Sequence, residues 1–161
     1  MLITLKDLPG IREKHKSQKI VLAGGAFDIL HQGHIDFLRS LREFGDVLVI
    51  AIKSDAEVRS YKDLDRPIQN EDVRAAIIDA IRYVDYTVIA PEPPADFGPD
   101  REPPRLAVAR SLHPDLFVTY NMRWEAHRKA FEELDIELKI IPIEKVNSTT
   151  SIIERIRHQG T

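Results

Sequence analysis

Two apolar runs joined by one helical pattern constrain the fold of this chain more than any other feature. The first run is Ile20–Ala23 and the second is Val47–Ile52, six apolar residues in succession. A short, continuous apolar run is typical of a strand that is buried on both faces of a parallel sheet. Between the runs, Ile35, Leu38 and Leu41 recur at helical spacing. Strand, helix and strand in this order predict a right-handed βαβ unit.

The same alternation continues to the end of the sequence and predicts three more strands. These lie over 87–90, 116–119 and 138–141. Asn70 is a good N-cap for an intervening helix, whose buried stripe we predict to be Val73, Ile77, Ala80, Ile81 and Val84. A chain of 161 residues suits one domain with a sizeable core. We therefore predict an α/β fold, a Rossmann-like, doubly wound, five-stranded parallel sheet in a single domain spanning 1–161.

Two segments stand outside this alternation. We predict an N-terminal lead-in over residues 1–18, of which 1–10 are mildly apolar and 11–18 form a charged segment that we expect to be a solvated helix or lead-in. Residues 91–104 hold six of the ten prolines, which excludes a helix or a central strand through them. A loop of this length could be a lid, an oligomer contact or a plain detour, and we favour a contact or a detour.

Composition limits the classes of function. The net charge of −3 gives no support to a nucleic-acid partner. Cysteine is absent, so disulfides and thiolate sites are excluded, which fits a reducing compartment. Residues 1–19 lack the apolar core of a signal peptide, and no run approaches the ~18 apolar residues of a membrane helix. We therefore expect a cytoplasmic protein that has no membrane partner.

A glycine turn and two histidines after the first strand indicate a phosphate site. Gly24 and Gly25 would let the backbone come close to a bulky ligand. His31 and His34 are three residues apart, so one helical turn places them on one face. A helix N-terminus suits an anion, and imidazoles can add donors toward charge on a phosphoryl group.

Other interpretations of this stretch remain open. One histidine could cap the turn while the other packs in the core. A metal site would need Asp28, His31, His34 and Asp36 to converge, but Asp36 should point away from the histidines on a helix.

Hydroxyl groups near the end of the chain suggest a second anion site. Ser148, Thr149 and Thr150 precede the last predicted helix. One of them is expected to act as the N-cap, and together they could also bind an anion. Both interpretations can hold at once.

The stretch Gly25-Ala-Phe-Asp-Ile-Leu-His-Gln-Gly-His34 resembles the signature of the cytidylyltransferase-like nucleotidyltransferases, Gly-x-Phe-Asp followed by His-x-Gly-His. The resemblance covers roughly residues 19–157 and is greatest to the adenylyltransferases of heptose 1-phosphate. Glycerol-3-phosphate cytidylyltransferases are the second choice, since Ile81-Arg-Tyr-Val-Asp85 is similar to their sequence. The resemblance implies transfer of a nucleotidyl group, with AMP from ATP as the first choice, onto a sugar or polyol phosphate, with release of pyrophosphate.

The resemblance also implies roles for individual residues. It places His31, His34 and Lys62 in catalysis, and Asp55, Lys62 and Arg74 at the acceptor. For nucleotide binding it indicates a set drawn from four stretches of the chain: Gly24, Gly25, Ala26, Phe27, Gly33, Asn121, Ser148, Thr149 and Thr150. Mg²⁺ would arrive with the triphosphate, so no dedicated metal ligands are expected. The implied partners are ATP or CTP, a phosphorylated sugar or polyol, and a second copy of the chain in a homodimer.

Two departures from the family pattern bear on the substrates. Thr119–Trp124 stands where heptose enzymes have Lys-Gly-Gly-Asp-Tyr, a region that helps to form the base and acceptor sites. Ile143–Asn147 replaces the Arg-Thr-x-Gly-Ile stretch of the cytidylyltransferases, and the missing arginine counts against CTP.

Two rival functions differ in class. A dinucleotide-dependent oxidoreductase is disfavoured, because no Gly-x-Gly-x-x-Gly follows the first strand and Asp46 opens the second strand instead of ending it. A non-catalytic nucleotide sensor on the same fold would bind nucleotide and release no pyrophosphate.

Overall fold

The computed structural model describes residues 1–62, 65–97, 101–142 and 148–159. Its centre is a six-stranded parallel sheet in the order β1-β4-β3-β2-β5-β6. The strands are β1 (Leu2–Ile3), β2 (Ile20–Gly25), β3 (Val47–Ile52), β4 (Tyr86–Ile89), β5 (Leu116–Thr119) and β6 (Glu137–Ile140). The α/β class, the parallel sheet and the βαβ unit are confirmed.

Helices connect the strands and cover both faces of the sheet. They are α1 (Leu8–Lys14), α2 (Gln32–Leu41), α3 (Asp55–Arg59), α4 (Glu71–Asp79), α5 (Pro104–Leu112), α6 (Arg128–Glu132) and α7 (Thr149–Gln159). Short 3₁₀ helices occur at Leu5–Asp7, Arg42–Phe44 and Met122–His127.

The strands divide their side chains between two cores, as the pleat requires. Val47, Val49 and Ala51 pack on one face with apolar residues of α1, α5 and α6. Leu48, Ile50 and Ile52 pack on the other face with residues of α2 and α4. All six residues of β3 are buried, so the absence of alternation in this run is explained by a strand covered on both faces.

The first residues of the chain belong to the sheet, contrary to the prediction of an N-terminal lead-in. β1 pairs with β4 at one edge, which adds a sixth strand to the five predicted. Leu8 and Ile11 of α1 are buried in the core. A two-residue strand has no pattern of its own, and β1 forms because β4 offers an unpaired edge.

The stripe predicted for α4 is wrong at Val73 and Ala80, which are exposed, whereas Val84 is buried and Ile81 packs against the core beyond the end of the helix. The N-cap is confirmed. Asn70 accepts a hydrogen bond from the Val73 amide, but the Val73 side chain is 43% exposed. The buried face consists of Arg74, Ala75 and Ile78. A buried arginine therefore occupies a place that hydrophobic periodicity would give to an apolar residue. Among the helices that the structure describes, none is long and apolar enough to cross a membrane.

Candidate functional site

A cavity of about 440 Å³ opens at the carboxyl ends of β2, β3 and β5. From β2 the chain moves through β3 and β4 toward one edge of the sheet, and it later places β5 and β6 on the opposite side. The boundary between β2 and β5 is thus a topological switch point, where open α/β sheets bind ligands.

Most of the residues singled out in the sequence line this one cavity. The wall contains twelve of the predicted site residues: Gly24, Gly25, Ala26, Phe27, His31, Gly33, His34, Lys62, Asn121, Ser148, Thr149 and Thr150. Segments that are more than a hundred residues apart in sequence therefore meet in space. Asp55 and Arg74 are not in this wall.

The two histidines form a stacked pair. Their ring centroids are 3.8 Å apart with 20° between the planes, and Phe27 packs edge-on against His34 at 5.2 Å. The Nδ1 atoms of both rings are buried and have no hydrogen-bond partner among the described residues. No protein contact in the described part of the chain therefore fixes which nitrogen of either ring carries the proton.

Both imidazoles are held in their neutral form. Burial lowers the pKa of His31, and burial together with the neighbouring His31 lowers the pKa of His34 to about 4, against an opposing effect of Asp28. At neutral pH each ring can thus donate one hydrogen bond to an anion. A bound polyphosphate would favour the charged forms and raise both pKa values.

Two helix N-termini point their first turns at the cavity. Gly33 and His34 lie in the first turn of α2, and Thr149 and Thr150 begin α7. Both helices are ten residues or longer, so each adds free amide groups and partial positive charge at its start. Such an arrangement favours a ligand with several phosphate groups.

Asp28 connects two other segments of the chain at the cavity through hydrogen bonds. Its carboxylate, 2% exposed, accepts hydrogen bonds from Arg66 and from the amides of Ile68 and Gln69. Its carbonyl accepts one from the Thr149 hydroxyl at 2.5 Å. The turn therefore holds both the 66–69 segment and the start of α7.

The backbone of this turn is in an uncommon conformation. Phe27 and Ile29, on either side of Asp28, both have φ values of 52°. Residues with a Cβ rarely adopt the left-handed region, and such positions cluster at ligand sites where surrounding contacts enforce them. The hydrogen bonds of Asp28 supply that enforcement.

Arg74 and Asp55, for which the sequence predicted contact with an acceptor, form an ion pair with each other outside the cavity wall. Arg74 is fully buried and donates to the carbonyls of Ala26, Lys53 and Gln69 and to the Asp55 carboxylate. With its hydrogen bonds directed to these oxygens, it fixes the ends of β2 and β3 relative to α4. The correction follows from burial, which leaves no guanidinium surface for a ligand.

Gly24, which lines the cavity, also packs against an arginine side chain. A Cβ there would lie 2.5 Å from Cδ of Arg105 and 2.4 Å from the Ala51 carbonyl oxygen. The glycine therefore makes room for an arginine side chain.

Three charged residues beside the cavity were not among the site residues predicted from the sequence. Lys53, Glu57 and Arg105 form a buried ion-pair cluster, and Lys53 and Arg105 line the cavity itself. Lys53 follows directly after β3, which was a usable signal, because ligands bind at that edge. Arg105 lies beside the proline-rich segment, where a charged residue normally indicates solvent exposure.

In the part of the chain that the structure describes, no group of three or more His, Asp or Glu side chains could hold a metal ion. Asp28 is occupied by Arg66 and two amides, and Asp36 accepts a hydrogen bond from Gln32. The Asp28–His31–His34–Asp36 alternative therefore lacks convergent ligands. The stretch 143–147, including Lys145, lies outside the described residues.

Comparison with known proteins agrees with the motif and the fold. The family model described as cytidylyltransferase-like matches residues 22–155, from β2 into α7. The chain belongs to the cytidylyltransferase-like family. The family resemblance drawn from the Gly-x-Phe-Asp and His-x-Gly-His residues is thus confirmed.

Among curated proteins, the chain is similar to the bifunctional protein HldE of Campylobacter concisus, with 33% identity over 97% of this chain and 31% of the relative. It is also similar to HldE of Geotalea uraniireducens, with 34% identity over 90% of this chain and 28% of the relative. The chain thus spans about three tenths of the length of these relatives.

Among solved structures, the lipopolysaccharide core biosynthesis protein from Thermoplasma volcanium matches with a TM-score of 0.64 and 29% identity. The match covers 81% of this chain and 99% of that one. Pantoate-beta-alanine ligase from Francisella tularensis, solved with an ATP analogue and beta-alanine, matches with a TM-score of 0.56 and 15% identity over 100% of this chain and 78% of that one. The second likeness concerns the fold alone.

Proposed function

We propose that this domain transfers a nucleotidyl group, AMP from ATP, onto the phosphate of a phosphorylated sugar or polyol. One observation carries the proposal: the stacked histidines and the hydroxyls of Ser148, Thr149 and Thr150 line the same cavity. Two helix N-termini and Lys62 face the same space. A triphosphate supplies the extended anion that these groups can hold together.

The reaction needs no general base. The acceptor phosphate already carries an ionised oxygen near neutral pH, and this oxygen attacks the α-phosphorus. A new phosphorus–oxygen bond forms, the bond between the α-phosphorus and the oxygen bridging to the β-phosphate breaks, and pyrophosphate leaves with that oxygen and its electron pair. The protein must bring two anions together and stabilise charge on the transferring group.

Named residues would divide this task. His31 and His34 donate hydrogen bonds to the triphosphate, and Lys62 neutralises charge between triphosphate and acceptor. Ser148, Thr149 and Thr150 bind the far end through hydroxyl and amide groups. Mg²⁺ would neutralise phosphate oxygens and, because the described cavity wall offers no carboxylate cluster, would be held mainly by the triphosphate and water. A homodimer is the expected assembly.

A screen for pyrophosphate release tests this proposal. Four nucleoside triphosphates are crossed with a panel of sugar and polyol phosphates, and each reaction is repeated with the unphosphorylated alcohol. We expect release only with a phosphorylated acceptor and most rapidly with ATP. Preference for CTP would identify a glycerol-3-phosphate-type cytidylyltransferase. Nucleotide binding without release from any pair would contradict the proposal and indicate a sensor.

A further inference from the structure

Two buried charges, Glu57 and Arg105, and the partly buried Lys53 form a cluster beside the cavity. Glu57 is 2% exposed, and its Oε1 atom accepts from Arg105 Nη1 at 2.7 Å and from Lys53 Nζ at 3.0 Å. Two cations thus share a single carboxylate oxygen. The cluster carries one positive charge in excess, although the chain as a whole has a net charge of −3.

Aromatic rings and a glycine fix the two cations in place. Lys53 Nζ lies 4.1 Å from the ring centroid of Tyr61, and Arg105 Cζ lies 5.2 Å from that of Trp124. The aliphatic part of Arg105 packs against the backbone of Gly24. Protein contacts thus restrain both cations before a ligand binds, which lowers the entropic cost of binding one.

The cluster stands between two cavities. Lys53 and Arg105 line the cavity with the histidines and also a second, adjoining cavity, whose wall includes Glu57, Arg123 and His127. The two cavities also share Tyr61, Asn121 and Trp124. A molecule in the second cavity therefore borders the histidine cavity along these shared residues, of which Lys53 and Arg105 are the cations.

In the absence of a bound anion, burial and the nearby second cation disfavour the charged form of Lys53. Burial and the neighbouring Arg105 lower the pKa of Lys53 to about 8, even though Glu57 acts in the opposite direction. Lys53 has three N–H donors and Arg105 has five, and Glu57 accepts one from each. Donors and charge thus remain for an anionic ligand that enters the site.

We propose that Lys53 and Arg105 bind the phosphate of the acceptor, and that the rest of the acceptor occupies the second cavity. The inference rests on the nucleotidyl transfer proposed above, since it supplies the second substrate of that reaction. Glu57 is a positioning residue for the phosphate, because its Oε1 atom holds both cations. The ligand class is a phosphate monoester whose organic part extends toward Arg123 and His127.

A fluorescence titration tests binding without requiring turnover. Trp124 is the single tryptophan of the chain and contacts Arg105, so its emission should respond when an anion binds the guanidinium. The probes are ribose 5-phosphate and glycerol 3-phosphate, with ribose, glycerol and inorganic phosphate as controls. We expect saturable changes with both esters, weaker binding of inorganic phosphate and no effect of the alcohols. Equal effects of alcohols and esters would overturn the proposal.

The variant Lys53→Met removes the amine but keeps the aliphatic stem. Loss of a charge-assisted contact should raise the Kd and the KM for the phosphate ester by roughly 10- to 100-fold, with the KM for ATP changing less than threefold. Arg59→Met is the matched control, because Arg59 is an exposed cation on the same short helix as Glu57 and lies outside both cavity walls. A larger effect on ATP than on the ester would assign Lys53 to the triphosphate and overturn the proposal.

The two proposals can fail separately. If the wild-type chain binds phosphate esters through Lys53 but releases no pyrophosphate, the ester site stands and nucleotidyl transfer fails. If the wild-type chain releases pyrophosphate and Lys53→Met leaves both KM values unchanged, transfer stands and the assignment of Lys53 fails. Thermal denaturation of each variant confirms that the compared proteins are folded.

Discussion

His34 lies where a charged ring is disfavoured, in contact with Phe27 and stacked on His31, yet it borders the cavity that we propose for a polyphosphate. A donor held in place before the reaction begins needs no reorganisation as charge develops. We predict that His34→Ala lowers kcat by about 10²–10³ and leaves the protein folded. Steady-state pyrophosphate release measures this, with His113→Asn as a control at an exposed left-handed position. Wild-type turnover by a folded His34→Ala protein would reject the catalytic role.

The same histidine makes stability depend on pH in the absence of ligand. Its pKa is about 4 in the folded protein and 6.5 in the unfolded chain, so the unfolded chain takes up the proton first as pH falls. The stability contributed by the neutral ring is complete above pH 6.5 and is lost progressively between pH 6.5 and pH 4. The loss should reach about 1–3 kcal/mol, since the ring is only partly buried.

Urea denaturation of the wild type and His34→Gln at pH 7.5, 6 and 4.5 measures this effect. We expect the difference in unfolding free energy between the two proteins to shift in favour of His34→Gln as the pH falls. The His113→Asn control should follow the wild type at each pH. A constant difference between wild type and His34→Gln across this range would contradict the assigned burial.

At the scale of the element, Arg74 explains why α4 differs from its sequence pattern. Its guanidinium holds the carbonyls at the ends of β2 and β3, together with Asp55. We predict that Arg74→Met destabilises the protein by roughly 3–5 kcal/mol, because it leaves buried oxygens without donors. It should also lower kcat/KM, because Ala26 and Lys53 border the cavity.

Arg82→Met is the control for this substitution, since Arg82 is exposed and donates to the Tyr83 hydroxyl. We expect it to change the free energy of unfolding by less than about 0.5 kcal/mol. Comparable stability of Arg74→Met and Arg82→Met in urea would show that α4 does not depend on the buried guanidinium.

The strands and most helices could be predicted because their residues carry local signals. Val47–Ile52 is apolar throughout, and β5 has the bounds predicted from the sequence, Leu116–Thr119. The failures have non-local causes. β1 exists through its pairing with β4, about 85 residues away, and the buried face of α4 depends on oxygens from two strands.

At the scale of the whole molecule, the site also contains residues that could be predicted from local sequence signals and residues that could not. The histidine motif and the Ser148–Thr150 hydroxyls can be identified in the sequence from residue type and spacing, and the fold brings them together. Lys53, Glu57 and Arg105 come from separate elements, and only the tertiary structure shows that they share one carboxylate oxygen. From the sequence, each of these charged residues would be expected to be exposed to solvent, because the ion-pair partner that permits its burial is known only from the structure.

A bound triphosphate would connect the start of α2 with the start of α7, more than a hundred residues away in sequence. α7 begins at the cavity, where Thr149 donates to the Asp28 carbonyl, and its residues from Glu154 to His158 are exposed. A triphosphate between the α2 and α7 N-termini would therefore add contacts to a helix that has few buried side chains. At about 100 times Kd, binding should stabilise the folded state by about 2.7 kcal/mol.

Hydrogen exchange with an ATP analogue that has a methylene bridge between the α- and β-phosphates measures this coupling without turnover. We expect amides in the first turns of both α2 and α7 to exchange at least tenfold more slowly, with no such change on adding adenosine. Thr149→Val should keep the protection at α2 and reduce it at α7, because it removes the hydroxyl that holds the start of α7 to Asp28. Protection confined to α2 in the wild type would show that the triphosphate does not reach the Ser148–Thr150 hydroxyls, and the proposed binding mode would be wrong.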